Sequence, residues 1–146
     1  MIPFLVLLCV FAACRLFGWM GVAFFVEWQH CLRVALAAMF LLTASAHWGA
    51  RRADLIRMVP AAFPRPDLWV TLTGIAEIAG AMGLLFPLTL RPASVGLTLL
   101  LVAIFPANVR AARQHLSIGG RKVPGLAVRS LLQLVFIGAA IAAGWC

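Results

Sequence analysis

Five apolar runs, at residues 2–25, 31–49, 68–87, 92–109 and 126–145, take up most of this chain, and the charged side chains are gathered almost wholly in the segments between them. A helix needs about 20 largely apolar residues to cross the hydrocarbon core of a bilayer. Runs of that length, repeated along one short chain, predict an all-α fold of polytopic membrane type with five spans. Composition agrees. The chain is 64% hydrophobic and 11% charged, where soluble chains are roughly 45–50% apolar and about 25% charged. The first run is the least regular, because Arg15 and the glycines at 18 and 21 interrupt it. It reads either as a tilted span or as a short helix followed by an interfacial segment.

The formal charge of +8 does not point to nucleic acid, because the cations sit between apolar segments and form no solvated tail or stripe. They are better placed to orient the chain and to meet anionic lipid head groups. The segment ARRADLIRMVPAAFPRPD carries four arginines, and RAARQHLSIGGRKVPG carries Arg110, Arg113, Arg121 and Lys122, followed by Arg129. The alternate connections hold only Glu27, Arg33 and Arg91. Cytoplasmic loops are the basic ones, so the pattern predicts a bacterial inner-membrane protein with its N-terminus in the cytoplasm and its C-terminus in the periplasm. Tryptophans prefer the head-group level. Trp48 and Trp69 fall at the expected inner edge, and Trp28 and Trp145 at the outer one. The N-terminal residues lack the basic region of a secretory signal peptide.

Helix punctuation supports the same division. FPRPD places prolines before the third run and offers Asp67 as an N-cap, Pro87 closes that run, and Pro92 falls where a first helical turn tolerates it. DLIRMVP reads either as a loop or as a short interfacial amphipathic helix capped by Asp54.

The chemistry is concentrated in a few polar residues inside the apolar runs. Glu77 stands in LTGIAEIAGAMGLLFP, about ten residues into its helix, hence roughly 15 Å deep at 1.5 Å per residue. An acid near the bilayer centre costs about 2.5–3.5 kcal/mol on insertion scales, so it needs partners. Its helical neighbours three and four positions away are Thr73, Gly74, Gly80 and Ala81, a small surface that lets another helix approach closely. Thr43 and His47 lie one turn apart on the second run, and Asn108 follows Pro106 in the fourth. Side chains lean toward the N-terminus of their own helix, so Glu77 leans toward the cytoplasmic side while His47 and Asn108 lean toward the midplane. The expectation is a three-helix polar cluster. Pro106 frees the carbonyl of Val102, which a water, Thr98 or a ligand should satisfy. His30 and His115 read as solvated loop residues. No metal-ligand spacing and no C-x-x-C pair is present, although Cys31 and Cys146, both expected at the outer surface, would permit a disulfide.

FLLTASAHW, then DLIRMVPAAFPRPDLWVTLTGIAEIAGAMGLLFPLTLRPA, then LLLVAIFPANVRAA resemble in order and spacing the DoxX family of small bacterial membrane proteins, over roughly Arg33 to Arg113. The resemblance implies a four-helix membrane domain at residues 31–146, preceded by an extra N-terminal apolar segment at residues 1–30. By the same resemblance Glu77 matches the intramembrane acid, Gly74 and Gly80 the packing glycines, His47 the histidine closing the first family helix, and Asn108 the asparagine of F-P-A-N. It further implies a role as component or accessory of a membrane redox system.

Two functional readings stand at this point. In the first, Glu77 exchanges a proton with, or hydrogen-bonds, a quinone-like head group held by His47, Asn108, Thr43 and Thr73. No covalently bound cofactor is expected, and a redox or maturation protein would be the partner. In the second, the chain is a non-enzymatic assembly or maturation factor whose polar cluster only joins helices. A small transporter is a third class, but the chain shows no second half-site.

Overall fold

The computed structural model describes residues 1–145, and it is helical almost throughout. Helix α1 is Ile2–Trp19, α2 is Trp28–Ser45, α3 is Arg52–Met58, α4 is Pro66–Gly83, α5 is Leu90–Arg113 and α6 is Leu126–Trp145. Between α5 and α6 stands a two-stranded antiparallel hairpin, β1 (Ser117–Ile118) and β2 (Arg121–Lys122), in which Ser117 faces Lys122 and Ile118 faces Arg121. Its turn residues Gly119 and Gly120 both have positive φ, +57° and +75°, the backbone that a two-residue hairpin turn demands.

Three of the helices, α1, α5 and α6, are long and apolar enough to cross a membrane. Helices α2 and α4 match α1 in length, at 18 residues, but they carry the polar groups: Gln29, His30 and Arg33 in α2, Asp67 and Glu77 in α4.

Adjacency follows chain order with one closure. Helix α2 packs on α4, α4 on α5, α5 on α6, and α6 returns to α2; α1 lies outside this ring against α2. The core comprises Leu36, Met39 and Phe40 of α2, Ala81 of α4, Leu84 just beyond it, Leu97 and Leu101 of α5, and Ala143 of α6. On α4 the buried residues Val70, Gly74, Glu77 and Ala81 form a single stripe, while Leu72, Ile75, Ile78 and Met82 are exposed. The arrangement inverts that of a soluble helix, whose outward face is polar. Large apolar side chains cover the outside of α1, α4, α5 and α6.

Small residues set the spacing between helices. A Cβ at Gly80 would lie 2.4 Å from Leu97, one at Gly83 would lie 2.7 Å from Ala93, and one at Gly144 would lie 2.4 Å from the Ser94 hydroxyl. Close approach through small residues is how helices associate when their surroundings are as apolar as they are.

Several local expectations are corrected. Of the two readings of the run 2–25, one continuous tilted span is set aside, and a helix followed by a separate segment is found. The helix stops at Trp19, and the chain turns at Gly21 with φ +99° and ends in a 3-10 turn at Ala23–Phe25. Arg15 reaches back to this turn, where Nη1 donates to the Val26 carbonyl at 2.5 Å, so its charge is met by backbone acceptors. DLIRMVP is helical, as α3, but Asp54 lies in its first turn and does not cap it. Asp67 likewise falls one position inside α4, after Pro66; the cap position belongs to Arg65, in the left-handed region at φ 53°. Both carboxylates still lie near the positive end of a helix dipole. His30 is no loop residue. It sits in α2 and stacks on Phe24 at a centroid distance of 4.4 Å. The pairing of Cys31 with Cys146 lies outside the described residues.

The two basic connections meet each other. The backbone N–H of Gly119, in the hairpin, donates to Asp54 of α3 at 2.8 Å. At the other end of the molecule Arg33, near the start of α2, donates from Nε to the Ala143 carbonyl, near the end of α6, at 3.0 Å.

Candidate functional site

Glu77 lies midway along the buried stripe of α4 and is itself buried. The Thr43 hydroxyl of α2 donates to Glu77 Oε2 at 2.6 Å. The other oxygen, Oε1, lies 3.5 Å from His47 Nε2. Thr43 lies in the last turn of α2 and His47 in the turn that follows it, two residues beyond Ser45.

The His47 ring is fixed from its other side. Its Nδ1 is 2.6 Å from the Val70 carbonyl of α4. A carbonyl only accepts, so Nδ1 carries a proton. Nε2 is then left facing the carboxyl group. Either a proton sits on Nε2 and the pair is imidazolium and carboxylate, or it sits on Glu77 and both groups are neutral. The net charge of the pair is zero in both arrangements, which limits the penalty of burying it. Thr73, expected in the site, is at its edge. Its hydroxyl donates to the Trp69 and Val70 carbonyls at 2.9 and 3.1 Å and lies 3.5 Å from His47 Nδ1.

Gly74 explains how α4 comes so near. A Cβ there would stand 2.8 Å from His47 and 2.8 Å from the Trp48 ring. Any larger residue would push the imidazole away from Val70 and Glu77. Arg52 secures the same corner. Nη1 donates to the His47 carbonyl at 2.7 Å, and Nη2 donates to the Asp67 carbonyl at 3.1 Å and the Thr71 hydroxyl at 2.9 Å. Sequence reasoning assigned this arginine, with its neighbours, to orientation and lipid contact. A cation two residues before an acid, in a loop with three further arginines, gives no sign of which one turns inward.

Asn108 does not join the cluster. Its Nδ2 donates to Gln133 Oε1 at 3.0 Å, and its Oδ1 accepts from Arg129. Gln133 in turn donates to the carbonyl of Leu101. Asn108 thus faces α6, and the expected meeting of three helices resolves into two separate networks: α2 with α4 at Glu77, and α5 with α6 at Asn108. The carbonyl next to that of Val102 is the one a side chain reaches, and the reaching group is Gln133. The Thr98 hydroxyl is buried with no hydrogen-bond partner. Gln133 and Arg129 were missed. Their spacing of four in RSLLQL, within an otherwise apolar run, was the available signal.

Below the first network, Asp54 pairs with Arg57 within α3 and accepts the Gly119 N–H of the hairpin. The Gly119 N–H and the Arg57 guanidinium hold the Asp54 carboxyl below its ordinary range. Among the described residues no group of three His, Cys, Asp or Glu side chains is placed to hold a metal ion.

No curated protein and no solved structure matches the chain significantly. The family match that exists is not to DoxX, and the resemblance to that family does not hold. The strings that suggested it, an acid spaced among small residues and a proline shortly before an asparagine, are short, and close packing of apolar helices around a buried polar group accounts for the first of them without that family. Matched over residues 36–143, the chain belongs to the family described as a domain of unknown function, DUF8561.

Proposed function

We propose that this chain is a non-enzymatic assembly or maturation factor of the bacterial inner membrane, folded as a four-helix membrane bundle of α2, α4, α5 and α6 with α1 as an additional span. One observation carries the reading: both oxygens of Glu77 are engaged from the end of α2 and the turn after it, by Thr43 at 2.6 Å and His47 at 3.5 Å. A carboxyl group so occupied ties two helices together. Two grooves mark the surface, one lined by Pro60 and Arg113 and the other by Val95 and Trp145, and Glu77 lines neither. The functional surface is then the exterior, where a partner protein would be met.

The sidedness rests on the contact between the two basic connections, Gly119 to Asp54, which puts both at one end of the helices. The positive-inside rule makes that end cytoplasmic. Five crossings follow, with the C-terminus in the periplasm.

The redox reading has one observation in its favour. His47 Nε2 and Glu77 Oε1, two atoms able to carry a proton, stand 3.5 Å apart, which is what exchange with a quinone-like head group would use. Quinone titration of the purified protein, followed by fluorescence, separates the two. The tie predicts no binding that depends on Glu77→Gln or His47→Ala. It also predicts that Glu77→Gln keeps thermal stability and partner recovery while Glu77→Leu damages both. Saturable quinone binding abolished by Glu77→Gln would overturn it.

A further inference from the structure

At the end of α5 that carries the basic connections, a groove of about 510 Å3 opens between this helix and the segment following α3. Its wall is apolar: Pro60 on one side, and Phe105, Pro106 and Val109 on the other. Its lip is cationic, formed by Arg110 and Arg113, which are three positions apart and so project from one face of the helix. We infer that this groove is a binding site for an anionic phospholipid, with an acyl chain along Phe105, Pro106 and Val109 and the phosphate between the two guanidinium groups.

Three observations support this occupant. First, the two arginines have no protein counter-ion. The nearby acid, Asp54, is taken by Arg57 and the Gly119 N–H, and among the described residues neither Arg110 nor Arg113 donates a side-chain hydrogen bond to protein. Second, the Arg110 Nε–H is buried without a partner. That guanidinium is already partly desolvated, and a phosphate at its terminal nitrogens would compensate it with charge-assisted hydrogen bonds. Third, the order of the wall and lip along α5, apolar at residues 105–109 and cationic at 110–113, repeats the order of a phospholipid from tail to head. Asn108 faces α6 instead, and Gln133 of α6 reaches back to the Leu101 carbonyl of α5, so the groove is independent of that network.

The inference rests on α5 reaching the membrane surface near Arg110, as proposed above, but not on which side that surface faces. A test in detergent therefore distinguishes the two. Purified protein in a neutral maltoside detergent is titrated with phosphatidylglycerol or phosphatidylcholine, and bound lipid is counted by native mass spectrometry. The expected result is preferential retention of phosphatidylglycerol. Removing one arginine should weaken it roughly 5-fold, and Arg110→Gln with Arg113→Gln roughly 30-fold, while Arg121→Gln with Lys122→Gln, which removes the same charge from the hairpin, leaves it unchanged. The exposed Arg113 has no protein partner, so Arg113→Gln alone remains informative if the double variant fails to fold. Equal retention of both lipids, or equal loss in the hairpin control, would overturn the site. So would inorganic phosphate that competes as well as the lipid, since that outcome assigns the arginines to a soluble anion.

Discussion

Glu77 and Gly74 show how little separates a stable intramembrane acid from an untenable one. The carboxyl group needs two donors within reach, and α4 comes near enough to Thr43 and His47 only because position 74 has no side chain. Glu77→Gln keeps an oxygen for the Thr43 hydroxyl and supplies an N–H for His47 Nε2, whose Nδ1 proton is already fixed on Val70. Its thermal midpoint in detergent should stay close to wild type. Glu77→Leu leaves the buried His47 Nε2 without a partner, at a cost of about 1–3 kcal/mol, and leaves the Thr43 hydroxyl only its own-helix acceptor, the Phe40 carbonyl, so the midpoint should fall clearly. Gly74→Ala should cost about 1–3 kcal/mol by overpacking against His47 and Trp48. A midpoint for Gly74→Ala at or above wild type would show that the contact is not as close as described.

At the scale of elements, the α5–α6 pairing is set by hydroxyl, amide and glycine rather than by bulk. The Ser94 hydroxyl donates to the Ala140 carbonyl at 2.7 Å, and Gly144 leaves it room. Gly138 on the same helix meets nothing within 4 Å. Gly144→Ala should therefore destabilise by about 1–3 kcal/mol, whereas Gly138→Ala should be neutral or gain roughly 0.5–1 kcal/mol from helix propensity. Thermal unfolding of the two variants side by side checks the contrast. The junction of α3 and the hairpin has a pH dependence of known sign. Its two main causes, the Gly119 N–H and then Arg57, stabilise the charged form of Asp54 and hold its carboxyl low. The stabilisation is present above the unfolded carboxyl value and is lost as pH falls through the folded one. Protection of the Gly119 amide from hydrogen exchange, corrected for intrinsic rate, should decline in acid in the wild type. In Asp54→Asn it should be weaker and flat with pH.

Taken whole, the molecule wears its apolar side chains outward and keeps its hydrogen bonds inward, as hydrocarbon surroundings require. Leu72, Ile75 and Ile78 on α4, Leu99 and Val102 on α5, and Leu131 and Leu134 on α6 are all exposed. At one end Gly119 meets Asp54, and at the other Arg33 meets the Ala143 carbonyl, so α2 and α6 run antiparallel between two opposite surfaces. Reporter fusions after Gly120 and after Cys146 should report opposite sides, cytoplasm and periplasm respectively. A cytoplasmic signal after Cys146 would sink the five-span arrangement.

Composition and the spacing of apolar runs determined the helical, membrane-type character of this chain, because a bilayer imposes its thickness on every segment alike. Helix direction likewise pointed Glu77 toward His47, just beyond the end of the preceding long helix, because side-chain lean is a local property. The place of Asn108 was a different kind of question. A periodic pattern says that a residue lies on a polar face, but α5 has neighbours on two sides, α4 and α6, and nothing local tells which one a given azimuth meets. Only the closed ring of helices assigned Asn108 to Gln133 and Arg129, turned Arg52 inward onto the His47 carbonyl, and brought Gly119 across 65 residues to Asp54. These contacts depend on rotation about each helix axis, which packing decides through the small residues at 74, 80, 83 and 144 once all the helices are in place.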